Sequence, residues 1–189
     1  MTRIPRDKLV YNFDATTPPV ATISSGDFIT VETHDTSSGR IHSLDDFAEF
    51  IRTRDPLKVN PAAGPIFVED AEPGDAIAVK ILSIQLGPYG FVRALSGAGV
   101  LQEGLRELPA MMVHVAGDIL IFGNKLRCKA RPMVGVLGTA PADGVVHTAH
   151  PGPQGSNMDF NAAAVGSTVY LPVHVPGALL AIGDLHAAM

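Results

Sequence analysis

Three short stretches carry the side chains best suited to chemistry. VETHD (31–35) brings Glu32, His34 and Asp35 within four residues. On a strand the first two share a face and Asp35 takes the other, unless a bulge intervenes. HPGPQGSNMDF (150–160) is a proline- and glycine-rich loop that carries Asn157 and Asp159 at its end, and such a loop loses little chain entropy in holding polar groups still. GDLH (183–186) sets an acid and an imidazole, Asp184 and His186, at alternate positions, so a strand points both the same way. A carboxylate beside an imidazole suits two tasks, ligation of a zinc-like cation and transfer of a proton. Each stretch also has an ordinary reading, as a solvated strand end, a wide turn or a strand terminus.

The other candidates are weaker. His114 and His174 sit inside apolar alternation (MMVHVAGD, PVHVPG) and read as hydrogen-bonded or exposed sheet histidines. His147 and His150 meet only if the segment between them turns tightly. Cys128 is the single cysteine; it cannot form an intrachain disulfide, and the sequence places no base near it that would make it a nucleophile. No Walker loop, HExxH, GxSxG or CxxC occurs, which leaves the common nucleotide, metalloprotease, hydrolase-elbow and zinc-ribbon readings without support.

Positioning these groups falls to a turn-rich chain. With 19 glycines and 15 prolines in 189 residues, many turns and few long helices are expected. A Gly-Asp or Gly-Ser turn followed by an alternating apolar run appears in SSGDFITVET (24–33), EPGDAIAVKILSI (72–84), VAGDILIFGN (115–124) and AVGSTVYLPVHV (165–175). Each reads as a turn feeding a strand, and shared turn chemistry explains the recurrence better than an internal repeat does. Further strands are expected at 19–23, 64–68, 133–138 and 178–184. One helix is expected over 43–54, capped by Ser43, with Asp45 and Asp46 in its first turn and Leu44, Phe47, Phe50 and Ile51 on one face. A second, broken by Gly104 and Pro109, is expected over 101–111. Strands and helices do not alternate, so the fold class is mainly β, a β-sandwich or barrel-like architecture with one or two short helices.

Composition narrows the partners. The chain is 46% hydrophobic and 17% charged, with a net charge of −5, enough apolar residues to bury one sizeable core. The densest basic run, KLRCKAR (125–131), alternates with apolar residues as an edge strand does, so no nucleic-acid partner is expected. The opening MTRIPRDKLVYNF holds no apolar leader core, and no apolar run approaches the roughly 20 residues of a membrane helix. A soluble, cytoplasmic protein with no membrane partner is the expectation.

Read together, NPAAGPIFVEDAEPGDAIAVKI (60–81), GPYG (87–90), RPMVGVLGTAP (131–141), PGPQGSNMDF (151–160) and STVYLPVHVPGALLAIGDLHAAM (167–189) resemble the acetamidase/formamidase family. The resemblance runs in the same order from about VETHD to the last residue. It implies an amidohydrolase releasing ammonia from formamide, acetamide or another short amide, on a β-rich fold that is usually oligomeric. It also implies a divalent metal, zinc first. By position, Asp35, Asn157, Asp159, Asp184 and His186 carry over. The mechanism it suggests has a metal held by some of Asp35, His34, Asp159, Asp184 and His186, with Asp35, His34, Asp184 and His186 as first choices, Asp159 or the missing downstream glutamate as general base and then acid, and Asn157 donating to the developing oxyanion. Gln154 stands where the family commonly has histidine, and Ser156 where it has glycine.

Family members also continue past GDLHAAM into Gly-Asp-Gly-Glu and more β structure. The resemblance therefore implies that 1–189 is a single domain incomplete at its C-terminus, partnered by copies of itself or by a second chain. The alternative is a non-catalytic subunit or remnant that binds a small ligand or a partner chain, which the absent glutamate and Gln154 favour.

Overall fold

The computed structural model describes residues 1–94, 110–123 and 125–188. In chain order its strands are β1 (Thr2–Ile4), β2 (Leu9–Val10), β3 (Asn12–Asp14), β4 (Ala21–Ile23) and β5 (Ile29–Val31); helix α1 (Leu44–Thr53) follows. Then come β6 (Ala62–Val68), β7 (Ala76–Lys80), β8 (Tyr89–Arg93), β9 (Ala110–Ala116), β10 (Ile119–Phe122) and β11 (Leu126–Lys129). The chain ends through β12 (Met133–Gly138), β13 (Val145–His147), β14 (Gly155–Asn157), β15 (Thr168–Pro172) and β16 (Leu180–His186). The fold is mainly β with curled sheets, consistent with a sandwich or barrel-like class. All four Gly-Asp or Gly-Ser turns lead into strands: β5, β7, β10 and β15.

The central element is a sheet of six strands, ordered β14-β12-β16-β6-β2 with β4 added parallel to β6. Its middle strands β12 and β6 are buried along almost their whole length, which is why GPIFV and MVGVLG read as continuous apolar runs rather than alternating ones. Ile66, Leu137 and Leu180 join Ile4, Ile81 and Leu171 in the main core, while Phe13 packs with Ala62, Val136 and Ala181. Each of these large side chains contributes about 1.5–3 kcal/mol by leaving water, so Leu137→Ala would cost roughly 2–5 kcal/mol.

Smaller sheets surround this one. β1 pairs parallel with β5, while β3 pairs antiparallel with β13 and β7 antiparallel with β15, where Pro172 closes the strand opposite Ala76; a strand end is a place where a missing N–H does no harm. A four-stranded meander runs β11-β10-β9-β8. The basic run forms its outer strand β11, largely exposed.

Helix α1 starts where its cap predicts. Ser43 is extended (φ −148°, ψ 172°) and its hydroxyl accepts the Asp46 N–H at 3.1 Å, while the Asp46 carboxylate accepts the His42 N–H at 2.9 Å. Phe47 and Phe50 are buried with Ile41, against Phe91 and Met112 of the meander. Leu44, which the helical pattern groups with that face, is exposed, because it occupies the first turn before the helix reaches its neighbours. The expected second helix falls outside the described residues except for Ala110 and Met111, which open β9.

Candidate functional site

The site grows from an interruption in the β12–β16 ladder. Pairing runs in one register from Met133↔His186 and Val134↔Leu185 to Val136↔Gly183, and the pair left out is Gly135 with Asp184. Asp184 has a φ of +48°, a left-handed conformation that Asp tolerates better than most residues. That twist presents its carboxylate beside the His186 ring, with Oδ2 3.6 Å from Nε2. Asp159 arrives from the loop after β14, also left-handed at φ +45° and anchored by its N–H on the Gly135 carbonyl at 3.2 Å. Its Oδ1 lies 3.4 Å from His186 Nε2.

Gly135 makes this convergence possible. A Cβ there would fall 2.6 Å from the Asp184 carbonyl oxygen, 2.8 Å from Asp159 Oδ1 and 2.8 Å from His186 Nε2. The floor of the site is bare backbone because the functional atoms occupy the side chain's place.

One ligand atom each from Asp159, Asp184 and His186 lies within 4.8 Å of the other two. Asp159 Oδ1 and His186 Nε2 are shut off from solvent and lack a hydrogen-bond partner among the described residues, an arrangement that leaves polar groups desolvated without compensation. Neither separation, 3.4 or 3.6 Å, forms a hydrogen bond. They match the edges of a tetrahedron around a cation with bonds of about 2.0–2.2 Å, roughly 3.3–3.6 Å. The donors, two carboxylates and an imidazole, are those of a divalent metal site. The Asp184 carboxylate holds the His186 imidazole above its ordinary value against the opposing effect of burial, and Asp159 adds to the lift. Burial pushes the Asp159 carboxyl up, Asp184 adds to it, and His186 opposes.

A polar chain leads away from this cluster. Asn60, left-handed at φ +52° just before β6, donates from Nδ2 to Asp184 Oδ2 at 3.1 Å and to Asn157 Oδ1 at 3.4 Å. Its Oδ1 accepts the Thr36 hydroxyl, and its N–H donates to the Thr36 carbonyl at 3.2 Å. Asn157 is anchored at its other end too, donating from Nδ2 to the Ala149 carbonyl at 3.1 Å. Gly183 allows β16 to pass so close to Pro61 and Ala62 that a side chain there would strike their backbone, which brings Asn60 alongside Asp184.

The VETHD segment stands apart from the three-residue cluster. Asp35 spends Oδ1 on its own turn, accepting the Ser37 N–H at 2.7 Å, the Gly39 N–H at 3.2 Å and the Ser37 hydroxyl. His34 packs its ring over Gly39. Glu32 pairs with Arg3 and accepts the Arg6 N–H at 3.3 Å, contacts that hold its carboxyl below the usual range. His34 and Asp35 nonetheless line the same open trough as Asp184 and His186, a cavity of about 1900 Å³. Arg93 lines it as well; its Nη1 is buried without a partner among the described residues, and burial and Arg54 pull the guanidinium down while Asp184 pulls it up.

Elsewhere, Gln154 is buried, with Nε2 unpaired among the described residues, and Ser156 is buried with its hydroxyl donating to the Thr148 carbonyl at 3.2 Å. The segment between His147 and His150 does turn tightly, bringing the rings to 5.8 Å edge-on. Cys128 sits on β11, the outer strand of the meander, and does not line the trough, although Leu120 and Phe122 of the neighbouring β10 do. Asn60, Gly135 and Arg93 escaped the sequence reading. The first two lie inside NPAAG and RPMVGVLG, and an asparagine before a proline or a glycine inside an apolar strand was the available signal.

The Acetamidase/Formamidase family model matches residues 6–151 and 142–189. A crystal structure of acetamidase from Bacillus halodurans shares 39% identity and a TM-score of 0.91, covering 99% of this chain and 62% of its own. That of a recombinant predicted acetamidase/formamidase from Thermoanaerobacter tengcongensis shares 40% and 0.93, covering 100% and 62%. The formamidase of Methylophilus methylotrophus is 28% identical over 225 residues, 89% of this chain and 55% of that protein. The chain thus spans about half the length of the curated relatives it matches.

Proposed function

Starting from the fact that the chain belongs to the acetamidase/formamidase family, we propose that it carries the metal-binding part of an amidohydrolase acting on short linear amides such as formamide or acetamide. The observation that supports this best is the meeting of Asp159, Asp184 and His186 at ligand-to-ligand spacing, with two of their atoms buried and unpaired. These three residues would hold a divalent cation, zinc first, and that cation supplies polarisation of the amide carbonyl and a more acidic water. His34 and Asp35, on the wall of the same trough, face the substrate space rather than completing the cluster.

The chain's own groups then account for the protons. Water would add to the carbonyl carbon and give up a proton to Asp159, through the carboxylate oxygen that is not turned toward His186, and that group would return it. The same proton passes to the amide nitrogen, the C–N bond breaks, and ammonia and a carboxylic acid are the products. Arg93 lines the trough, and its guanidinium, with Nη1 unpaired among the described residues, would be a donor for developing negative charge on oxygen. Asn157, tethered to Ala149 and Asn60, serves the framework first. Ammonia release from formamide and acetamide, measured with and without a chelator, tests the proposal. Activity lost on chelation and restored by zinc is expected; activity indifferent to the chelator would remove the metal.

A second reading is favoured by one observation, the size of the trough. At about 1900 Å³ it exceeds the roughly 300–1,000 Å³ of small-ligand pockets and far exceeds a short amide. In this reading the chain works in an assembly, with copies of itself or with a second polypeptide covering part of the trough, or serves there as a non-catalytic subunit. Native mass spectrometry tests it, since a bare monomer retaining full amidase activity would overturn it.

A further inference from the structure

We infer that Asn60 is a positioning residue that fixes the Asp184 carboxylate for metal binding, and that Thr36 acts on the metal site through it. The inference rests on the metal reading proposed above. Asp184 Oδ2 is the oxygen that faces His186 Nε2, and it is the same oxygen that takes the Asn60 Nδ2 hydrogen at 3.1 Å. An ionised carboxylate only accepts, so Asn60 must turn its nitrogen toward Asp184 and its oxygen away. The oxygen then meets the Thr36 hydroxyl, which donates to it, while the Thr36 carbonyl grips the Asn60 N–H. The amide therefore has one orientation available and cannot swing.

This gives VETHD and the turn after it a part in the site that does not require them to touch the metal. Asp35 folds the turn with its own carboxylate, the turn presents Thr36, Thr36 orients Asn60, and Asn60 holds Asp184. Asn60 and Asp184 both carry left-handed backbones, and such conformations persist where the surroundings over-determine them. A ligand held this way loses little freedom when a cation arrives, which is why removing an outer hydrogen bond typically costs 10–100-fold in metal affinity.

The test is a double-mutant cycle with Thr36→Val and Asn60→Gly, the glycine keeping the left-handed backbone available. Zinc affinity is measured by equilibrium dialysis, the ligand field by the visible spectrum of the cobalt(II)-loaded protein, and the fold by the melt of the metal-free protein. Wild type should bind zinc, and each single variant should bind it at least tenfold more weakly with a shifted cobalt spectrum and a cooperative metal-free melt. Thr36→Val should add nothing further in the Asn60→Gly background, because its effect runs through the missing amide. Unchanged affinities and spectra in both single variants, or losses that simply add, would overturn the inference while leaving the metal reading standing. A wild type that binds no zinc would overturn both.

Discussion

Asp159 Oδ1 and His186 Nε2 face each other at 3.4 Å, closed off from solvent and with neither atom hydrogen-bonded among the described residues. Two strands and a loop have been folded to bring them together, and the pair is left short of a partner. A cation between them and Asp184 would relieve that deficit, so metal binding should report directly as stability. With zinc at about 100 times its dissociation constant, linkage gives roughly 2.7 kcal/mol, or about 5–11 °C of melting temperature for a chain of this size. Asp159→Asn should abolish that shift in a thermal melt, whereas Glu49→Gln, on the exposed side of α1, should leave it intact.

The same geometry sets the sign of the pH dependence. His186 is raised in the folded, metal-free protein, so its contribution to stability is full below the unfolded value near 6.5 and is lost as pH climbs through the folded one. Asp159 is raised too. Its carboxyl ionises more readily in the unfolded chain, from about 3.8 upward, and its contribution also falls with rising pH. Metal-free protein should thus lose stability as pH rises through these windows. Zinc binding runs the other way, because a proton on Nε2 competes with the cation. Its apparent affinity should fall about tenfold per pH unit below the raised His186 value. Melts in chelator and in zinc across pH 5–8 should therefore slope oppositely, and His186→Gln should remove the His186 part of both slopes.

The fold was readable because its signals are local. Gly-Asp turns, alternating runs and the Ser43 cap all act within a few residues, and β5, β7, β10, β15 and α1 stand where those signals place them. Within the site, the i, i+2 spacing of Asp184 and His186 foretold that they would meet. That Asp159 joins them depends on a contact between the loop after β14 and the middle of β12, and nothing local encodes it. Asn60 and Gly135 were hidden for the same reason. Their importance lies in what comes near them from more than 20 residues away in the chain. Asp35 carries two readings that the sequence cannot separate, since an acid two residues before a serine is as good a turn-former as it is a ligand, and in the structure one of its oxygens serves the turn.

The helix offers a check on the framework that leaves the cluster untouched. Ser43→Ala removes the hydroxyl that accepts the Asp46 N–H and should cost about 1 kcal/mol, as loss of a cap generally does. Because α1 packs on the meander that carries Arg93, the loss should appear in the melt of the whole domain. Zinc affinity should stay within a factor of two or so of wild type, given that distant sites act independently; a larger fall would mean that the helix and the metal site share a strained element.

Gly135→Ala is the most severe single-methyl change the site offers. The added carbon would land on the Asp184 carbonyl oxygen, Asp159 Oδ1 and His186 Nε2 at 2.6–2.8 Å, closer than real carbon atoms approach. The Asp184 carbonyl belongs to the neighbouring strand of the ladder and cannot retreat alone, so the strain must open β12 from β16 or expel the two side chains. Overpacking of this kind costs about 1–3 kcal/mol, and displacing two candidate ligands should reduce zinc affinity at least tenfold in the same variant. Gly90→Ala is the matched control: it lies on β8, with nothing within 4 Å of the new carbon, and should change both quantities little. A Gly135→Ala protein that melts like wild type and binds zinc equally well would mean that the three side chains do not converge over this glycine.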